Sequence, residues 1–166
     1  MSRPHILIVC TANICRSPVA EILLRARLHA AGLANWTVSS AGTWAESGHT
    51  AASFSIELMA ERGLDIRSHR SQPVTEQLMQ QADLLLCLET GHAKTLRRDY
   101  PAHQHKIYTI RQMVNKRGSV RDPYGGSRRH YERMVAEVDE LIEQGFPRIQ
   151  ALAQANFQRR GEDESS

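Results

Sequence analysis

The 166-residue sequence predicts an α/β fold, a single three-layer domain in which a four-stranded parallel sheet is covered by helices on both faces. Three observations carry that expectation. Short apolar runs at residues 6–10 and 84–88 are continuous, as in strands buried on both faces, whereas a half-exposed strand would alternate. Segments of helical period separate the runs, so successive strands are joined by crossovers and run parallel. The length suits one core that needs neither metal nor disulfide support.

The first strand is expected over residues 5–10. Ser17 and Pro18 then read as a helix N-cap followed by proline at the first helical position. Val19, Ile22, Leu23, Ala26 and Ala30 form one helical stripe that Gly32 can close. A second strand is expected at residues 36–40, a helix at 51–62 closed by Gly63, and a short helix at 74–81. The third strand falls at residues 83–88, with a helix over 90–98 that stops before Pro101. Residues 106–110 make the fourth strand. A polar loop at 111–126 is longer than a structureless connection usually is without a functional reason. Tyr131, Met134, Val135, Val138, Leu141 and Ile142 define the clearest helical face, expected to end near Gly145, with Pro147 opening a further turn or two. The domain is expected to span 1–158, and the acidic, serine-ended tail 159–166 to carry no structure.

Composition narrows the function classes. Hydrophobic residues at 41% and charged residues at 23% are those of a globular chain, and no apolar run is long enough to span a bilayer or form a signal peptide. A cytoplasmic protein without membrane insertion is the expectation. Three cysteines, Cys10, Cys15 and Cys87, cannot form a disulfide framework and suit a reducing compartment. The net charge of +3 comes from basic residues scattered along the chain, which argues against a nucleic-acid partner. His103 and His105 lack a third ligand cluster, so no metal site is expected.

Open parallel sheets bind ligands beyond the carboxyl ends of their strands, which directs attention to the loop after the first strand. There stand Cys10, Thr11, Ala12, Asn13, Ile14, Cys15, Arg16 and Ser17. The amide groups of such a loop and the helix N-terminus after it form a cradle for a phosphate-like anion. Arg16 can pair two of the anion's oxygens at once. The same positive field favours the thiolate of Cys10, a nucleophile for phosphorus, and Ser17 can donate its hydroxyl to that sulfur. Asp122, stiffened by Pro123 in the long loop, offers a carboxyl group to protonate a leaving oxygen, and Tyr124 beside it an aromatic wall.

The segment from Val9 to Pro18 (VCTANICRSP), Ser40-Ala-Gly-Thr43 and Asp122-Pro-Tyr124 resemble, in order and spacing, the low-molecular-weight protein tyrosine phosphatases. The likeness covers about residues 4–153. It implies Cys10 as nucleophile, Arg16 as phosphate clamp and Asp122 as general acid and base, with a phosphocysteine intermediate and no cofactor. It further implies that Asn13, Ser17, Ser40 and His69 shape the loop, His69 as a structural histidine. Trp44 matches a position that forms a wall of the substrate cleft. The implied partner is a tyrosine-phosphorylated protein, a bacterial tyrosine kinase among the candidates, and the implied state a monomer.

Departures qualify the likeness. Ala12 stands where many relatives have glycine, and a left-handed backbone there would cost roughly 1–2 kcal/mol. Gly125 replaces a second tyrosine of eukaryotic relatives, which marks a bacterial-type member. Cys15 either packs or guards Cys10 against over-oxidation through a reversible disulfide. Cys87 reads as core. Two activities on the same fold compete: an arsenate reductase, which would need two further relay cysteines where this chain offers Cys87 and Lys94, and a protein arginine phosphatase, in which threonine typically occupies the position of Ile14.

Overall fold

The computed structural model describes residues 3–165. Four parallel strands, β1 (His5–Cys10), β2 (Thr37–Gly42), β3 (Leu84–Cys87) and β4 (Ile107–Thr109), form one sheet in the order β2-β1-β3-β4. The helices are α1 (Arg16–Ala30), α2 (Ser53–Glu61), α3 (Glu76–Gln81), α4 (Thr90–Asp99) and α5 (Arg128–Ser165). Two 3-10 segments, Pro101–Lys106 and Ile110–Val114, flank β4.

The predicted architecture is the one observed, and the continuous apolar run of β1 has the expected cause. Ile6, Ile8 and Cys10 join a core with residues of α1, α2 and α5, while Leu7 and Val9 join a second core with Met79 of α3 and Ala93 and Leu96 of α4. Ile6, Leu7, Ile8 and Val9 expose no surface. Because side chains alternate across a strand, only a sheet covered on both faces accounts for an unbroken apolar run.

Most element boundaries shift by one or two residues from the sequence expectation, and four differences have a physical reason. Helix α1 begins at Arg16, with no side-chain cap, and the Ser17 hydroxyl is turned instead toward Cys10. Strand β2 runs on to Gly42, because its ladder follows β1 as far as the Cys10–Gly42 pair and residues 72–74 bracket Gly42 with two further backbone bonds. Part of the 111–126 loop is the 3-10 turn Ile110–Val114, closed by a reciprocal Thr109–Gln112 capping box.

The largest difference concerns α5, which continues through Gly145 and Pro147 to Ser165. Its apolar face keeps its period across the proline through Phe146, Ile149 and Ala153, so packing outweighs the lost backbone bond. Gly145 is needed there because a Cβ would lie 2.7 Å from that of Met113. The tail expected to be structureless from residue 159 is helical to Ser165, with residue 166 outside the described part. It has a partner that composition conceals: Asp83, 1% exposed, accepts hydrogen bonds from Arg160 Nε at 2.8 Å and Nη2 at 3.2 Å and from the His5 amide. Among the described residues no helix is long and apolar enough to cross a membrane.

Candidate active site

The loop between β1 and α1 is held from outside by its carbonyls. Those of Cys10 and Thr11 accept the amides of Thr43 and Trp44, that of Asn13 accepts His69 Nε2 at 2.7 Å, and those of Ile14 and Cys15 accept the Ala52 amide and the Ser55 hydroxyl. Amides of residues 12–15 make no backbone bond among the described residues, so the loop turns its acceptors outward and keeps donors for an anion. Gly42 makes the close approach possible, since a Cβ there would collide with the Thr11 carbonyl. The left-handed residue is Asn13, at φ 60°, and not Ala12, which therefore carries none of the strain considered above. Asparagine tolerates that conformation far better than alanine.

Asn13 is fully buried and directs a chain of hydrogen bonds. Its Oδ1 accepts the Gln72 amide at 3.0 Å, which orients the carboxamide, and its Nδ2 then donates to Ser17 Oγ at 2.7 Å and Ser40 Oγ at 2.9 Å. Ser40 passes its own hydrogen to Glu21 at 2.7 Å. Ser17, already accepting from Asn13, has its hydrogen left for Cys10 Sγ, 2.9 Å away. The donor order thus follows from the backbone amide of Gln72, and it aims a hydroxyl at the sulfur.

Arg16 is 1% exposed. Its Nη1 donates to Glu89 at 2.6 Å and to the Val120 carbonyl at 2.8 Å, its Nη2 lies 3.5 Å from Asp122, and its Nε has no partner among the described residues. A buried guanidinium with an idle donor is fitted to receive an acceptor from outside the chain. Asp122 stays exposed and is steadied by the Tyr124 amide, 3.1 Å from its Oδ1. Cys10, Ile14, Arg16, Trp44, Asp122 and Tyr124 surround a cleft of about 310 Å³ together with Thr11, Ala12 and Cys15. Its mouth is rimmed by the exposed large apolar side chains, Trp44 at 87% and Tyr124 at 72%.

Every predicted site residue therefore lies in or directly behind one cleft, Ser40 and His69 as supports. Sequence reasoning missed a second group. Glu89, which holds Arg16, also approaches His92 Nε2 at 3.6 Å, and that nitrogen meets Thr11 Oγ1 at 2.9 Å. Burial pushes the His92 imidazole below its ordinary range although Glu89 pulls it up. The available signal was position: Glu89 follows β3 at the same carboxyl edge of the sheet as Cys10.

The two remaining cysteines sit apart in character. Burial pushes the Cys15 thiol up to about 11 even with the Tyr131 hydroxyl 3.4 Å away, and pushes Cys87 to about 12. Cys87 packs in the core on the opposite face of the sheet from Cys10. Among the described residues no three His, Cys, Asp or Glu side chains gather closely enough to hold a metal ion.

Comparison with known proteins places the chain in a family. Residues 5–156 match the low molecular weight phosphotyrosine protein phosphatase family. The chain is 36% identical to the protein-arginine-phosphatase of Bacillus subtilis over 140 residues, 84% of this chain and 92% of the relative. The low molecular weight protein tyrosine phosphatase of T. tengcongensis superimposes with a TM-score of 0.83 at 37% identity, over 88% of this chain and 99% of that one. A mutant of the YwlE arginine phosphatase with a phosphorylated active-site serine superimposes with a TM-score of 0.83 at 33% identity, over 88% and 95%. With the match extending over almost its whole length, the chain belongs to the low molecular weight phosphotyrosine protein phosphatase family and is a phosphatase.

Proposed function

We propose that the chain is a protein-tyrosine phosphatase that works through a phosphocysteine intermediate. The observation that carries this reading is the pairing, in one cleft, of Cys10 under the Ser17 hydroxyl with the buried, partly unpartnered Arg16 beside Asp122. Cys10 attacks as the thiolate: a sulfur–phosphorus bond forms, the phosphorus–oxygen bond to the substrate breaks, and the leaving oxygen takes its electron pair and the proton of Asp122. Asp122, now a carboxylate, then removes a proton from water as that oxygen attacks phosphorus, and Cys10 departs as thiolate. Arg16 and the loop amides hold the equatorial oxygens throughout. The serine phosphorylated in the YwlE mutant supports a covalent step of this kind.

The aromatic rim of Trp44 and Tyr124 favours a phenolic ester over shorter phosphoserine. A protein arginine phosphatase is the second reading, favoured by the Bacillus subtilis relative; Ile14 and Tyr124, both apolar walls of the cleft, weigh toward tyrosine. Arsenate reduction fits poorly, because a thiol relay through Cys87 would cross the sheet from a fully buried core position. The substrate in this reading is a tyrosine-phosphorylated cytoplasmic protein, with a bacterial tyrosine kinase as one candidate.

Hydrolysis of p-nitrophenyl phosphate in chelator is expected for the parent, with turnover abolished by Cys10→Ser and lowered ~10²–10⁴-fold by Asp122→Ala on a poor leaving group. Normal turnover by Cys10→Ser would overturn the mechanism. Phosphotyrosine and phosphoarginine peptides assayed side by side decide between the two substrates.

A further inference from the structure

Next to the catalytic cleft lies a smaller cavity of about 180 Å³, lined by Arg121, Asp122, Pro123, His130, Arg133, Met134 and Glu137. Asp122 lines both, so this cavity adjoins the cleft. Its charges are unbalanced. Arg121 and Arg133 make no ion pair or side-chain hydrogen bond among the described residues, whereas the neighbouring Arg128 is tied to Glu57, Glu61 and Glu132. Of the two carboxylates in the lining, Glu137 is opposed by Arg111 at 3.3 Å, and Asp122 shares Arg16, 3.5 Å away, with Glu89. His130 Nδ1 accepts the Ser127 amide, which leaves its proton on Nε2 as one more donor.

We propose that this cavity is a substrate subsite that binds the carboxylate of an aspartate or glutamate flanking the phosphorylated residue of the same polypeptide. The inference rests on the phosphatase reading of the cleft and adds a sequence preference to it. Two arginines without carboxylate partners among the described residues, lining one concavity, offer a site for a carboxylate in a way that scattered surface arginines do not. The uncompensated charge also attracts an acidic segment before contact, which raises the rate of encounter.

The test compares two phosphotyrosine peptides that differ only in having glutamate or glutamine beside the phosphotyrosine. The quantity measured is the ratio of their kcat/KM values within one protein, which cancels any general loss of activity. A ratio of about ten, equivalent to ~1.4 kcal/mol, is expected for the parent at low salt. Arg133→Gln should bring it down severalfold, and Arg121→Gln with Arg133→Gln to near one. Arg129→Gln, which removes the same charge about one helical turn away and outside the cavity, should leave the ratio as in the parent.

A parent ratio of one overturns the subsite, as does an equal fall in Arg129→Gln and Arg133→Gln, which would mean that only net charge is sensed. If the parent hydrolysed neither peptide, the reading of the cleft would fall and the subsite with it. Hydrolysis of both at equal rates removes the subsite alone.

Discussion

Asn13 concentrates the loop's architecture in one side chain, which makes it the most informative residue to replace. Both Asn13→Ala and Asn13→Gly delete three buried hydrogen bonds, those to Ser17 at 2.7 Å, Ser40 at 2.9 Å and the Gln72 amide at 3.0 Å. At a net ~0.5–1.5 kcal/mol each, the loss is about 1.5–4.5 kcal/mol in either variant. The backbone separates them. At φ 60° alanine adds ~1–2 kcal/mol of strain, while glycine adds only the ~0.5–1 kcal/mol of chain entropy that it loses on folding. The alanine variant should therefore be the less stable, by roughly 0.5–1 kcal/mol. Urea unfolding read by far-UV circular dichroism measures both differences. Turnover of p-nitrophenyl phosphate should fall about tenfold in both, ~1.4 kcal/mol, because Ser17 is then free to turn its hydrogen away from Cys10. Two variants within ~0.5 kcal/mol of the parent would refute the hydrogen-bond chain. An alanine variant as stable as the glycine one would refute the argument from backbone conformation.

The remaining predictions concern the far end of the sheet and the second loop cysteine. Arg160→Ala strips Asp83, 1% exposed, of two charge-assisted bonds and should cost about 1.5–3 kcal/mol in urea unfolding, with Asp83→Asn in the same background restoring part of the loss; an unchanged midpoint would mean that the last turns of α5 do not dock in solution. Burial holds the Lys106 ammonium, bonded to the Met79 and Ala82 carbonyls, down to about 8 from an ordinary 10.5. Between those values the unfolded chain binds the additional proton, so this group's contribution to stability rises with pH from about 8 to 10.5. The parent should thus gain on Lys106→Met across that window, and a pH-independent difference would contradict the assignment. If Cys15 guards Cys10, parent activity lost to hydrogen peroxide should return with dithiothreitol while that of Cys15→Ser does not; equal recovery would leave Cys15 as a packing residue, the role that its thiol at about 11 and its contact with Tyr131 also suit.

Much of the site was readable because its parts are local. Residues 10–17 combine cysteine, arginine and serine within one strand–loop–helix unit, where spacing alone determines that they share a loop. Asp122 and Tyr124 were readable for another reason, since a long loop carrying Asp-Pro needs a task. Glu89 and His92 carried no such local pattern. They matter because β3 lies beside β1 in parallel, and that neighbourhood brings residue 89 to Arg16 across 73 positions of sequence. Helix α5 failed in the opposite direction: Gly145, Pro147 and an acidic tail are local stop signals, overruled by packing on Met113 and by the buried Asp83.

By itself, the order of residues determined a doubly covered parallel sheet, one domain, and a cysteine–arginine loop with an acid in a distant turn. These follow from periodicity and from chemistry within a few residues, which a chain carries wherever it is placed. Only the tertiary structure decided what the Ser17 hydroxyl faces, what grips Arg16, how far α5 extends, and that Arg121 and Arg133 stand near Asp122 without an ion pair among the described residues. Each of those depends on a partner far away in sequence, and a hydrogen bond or an ion pair exists only where the fold brings donor and acceptor within about 3 Å of one another.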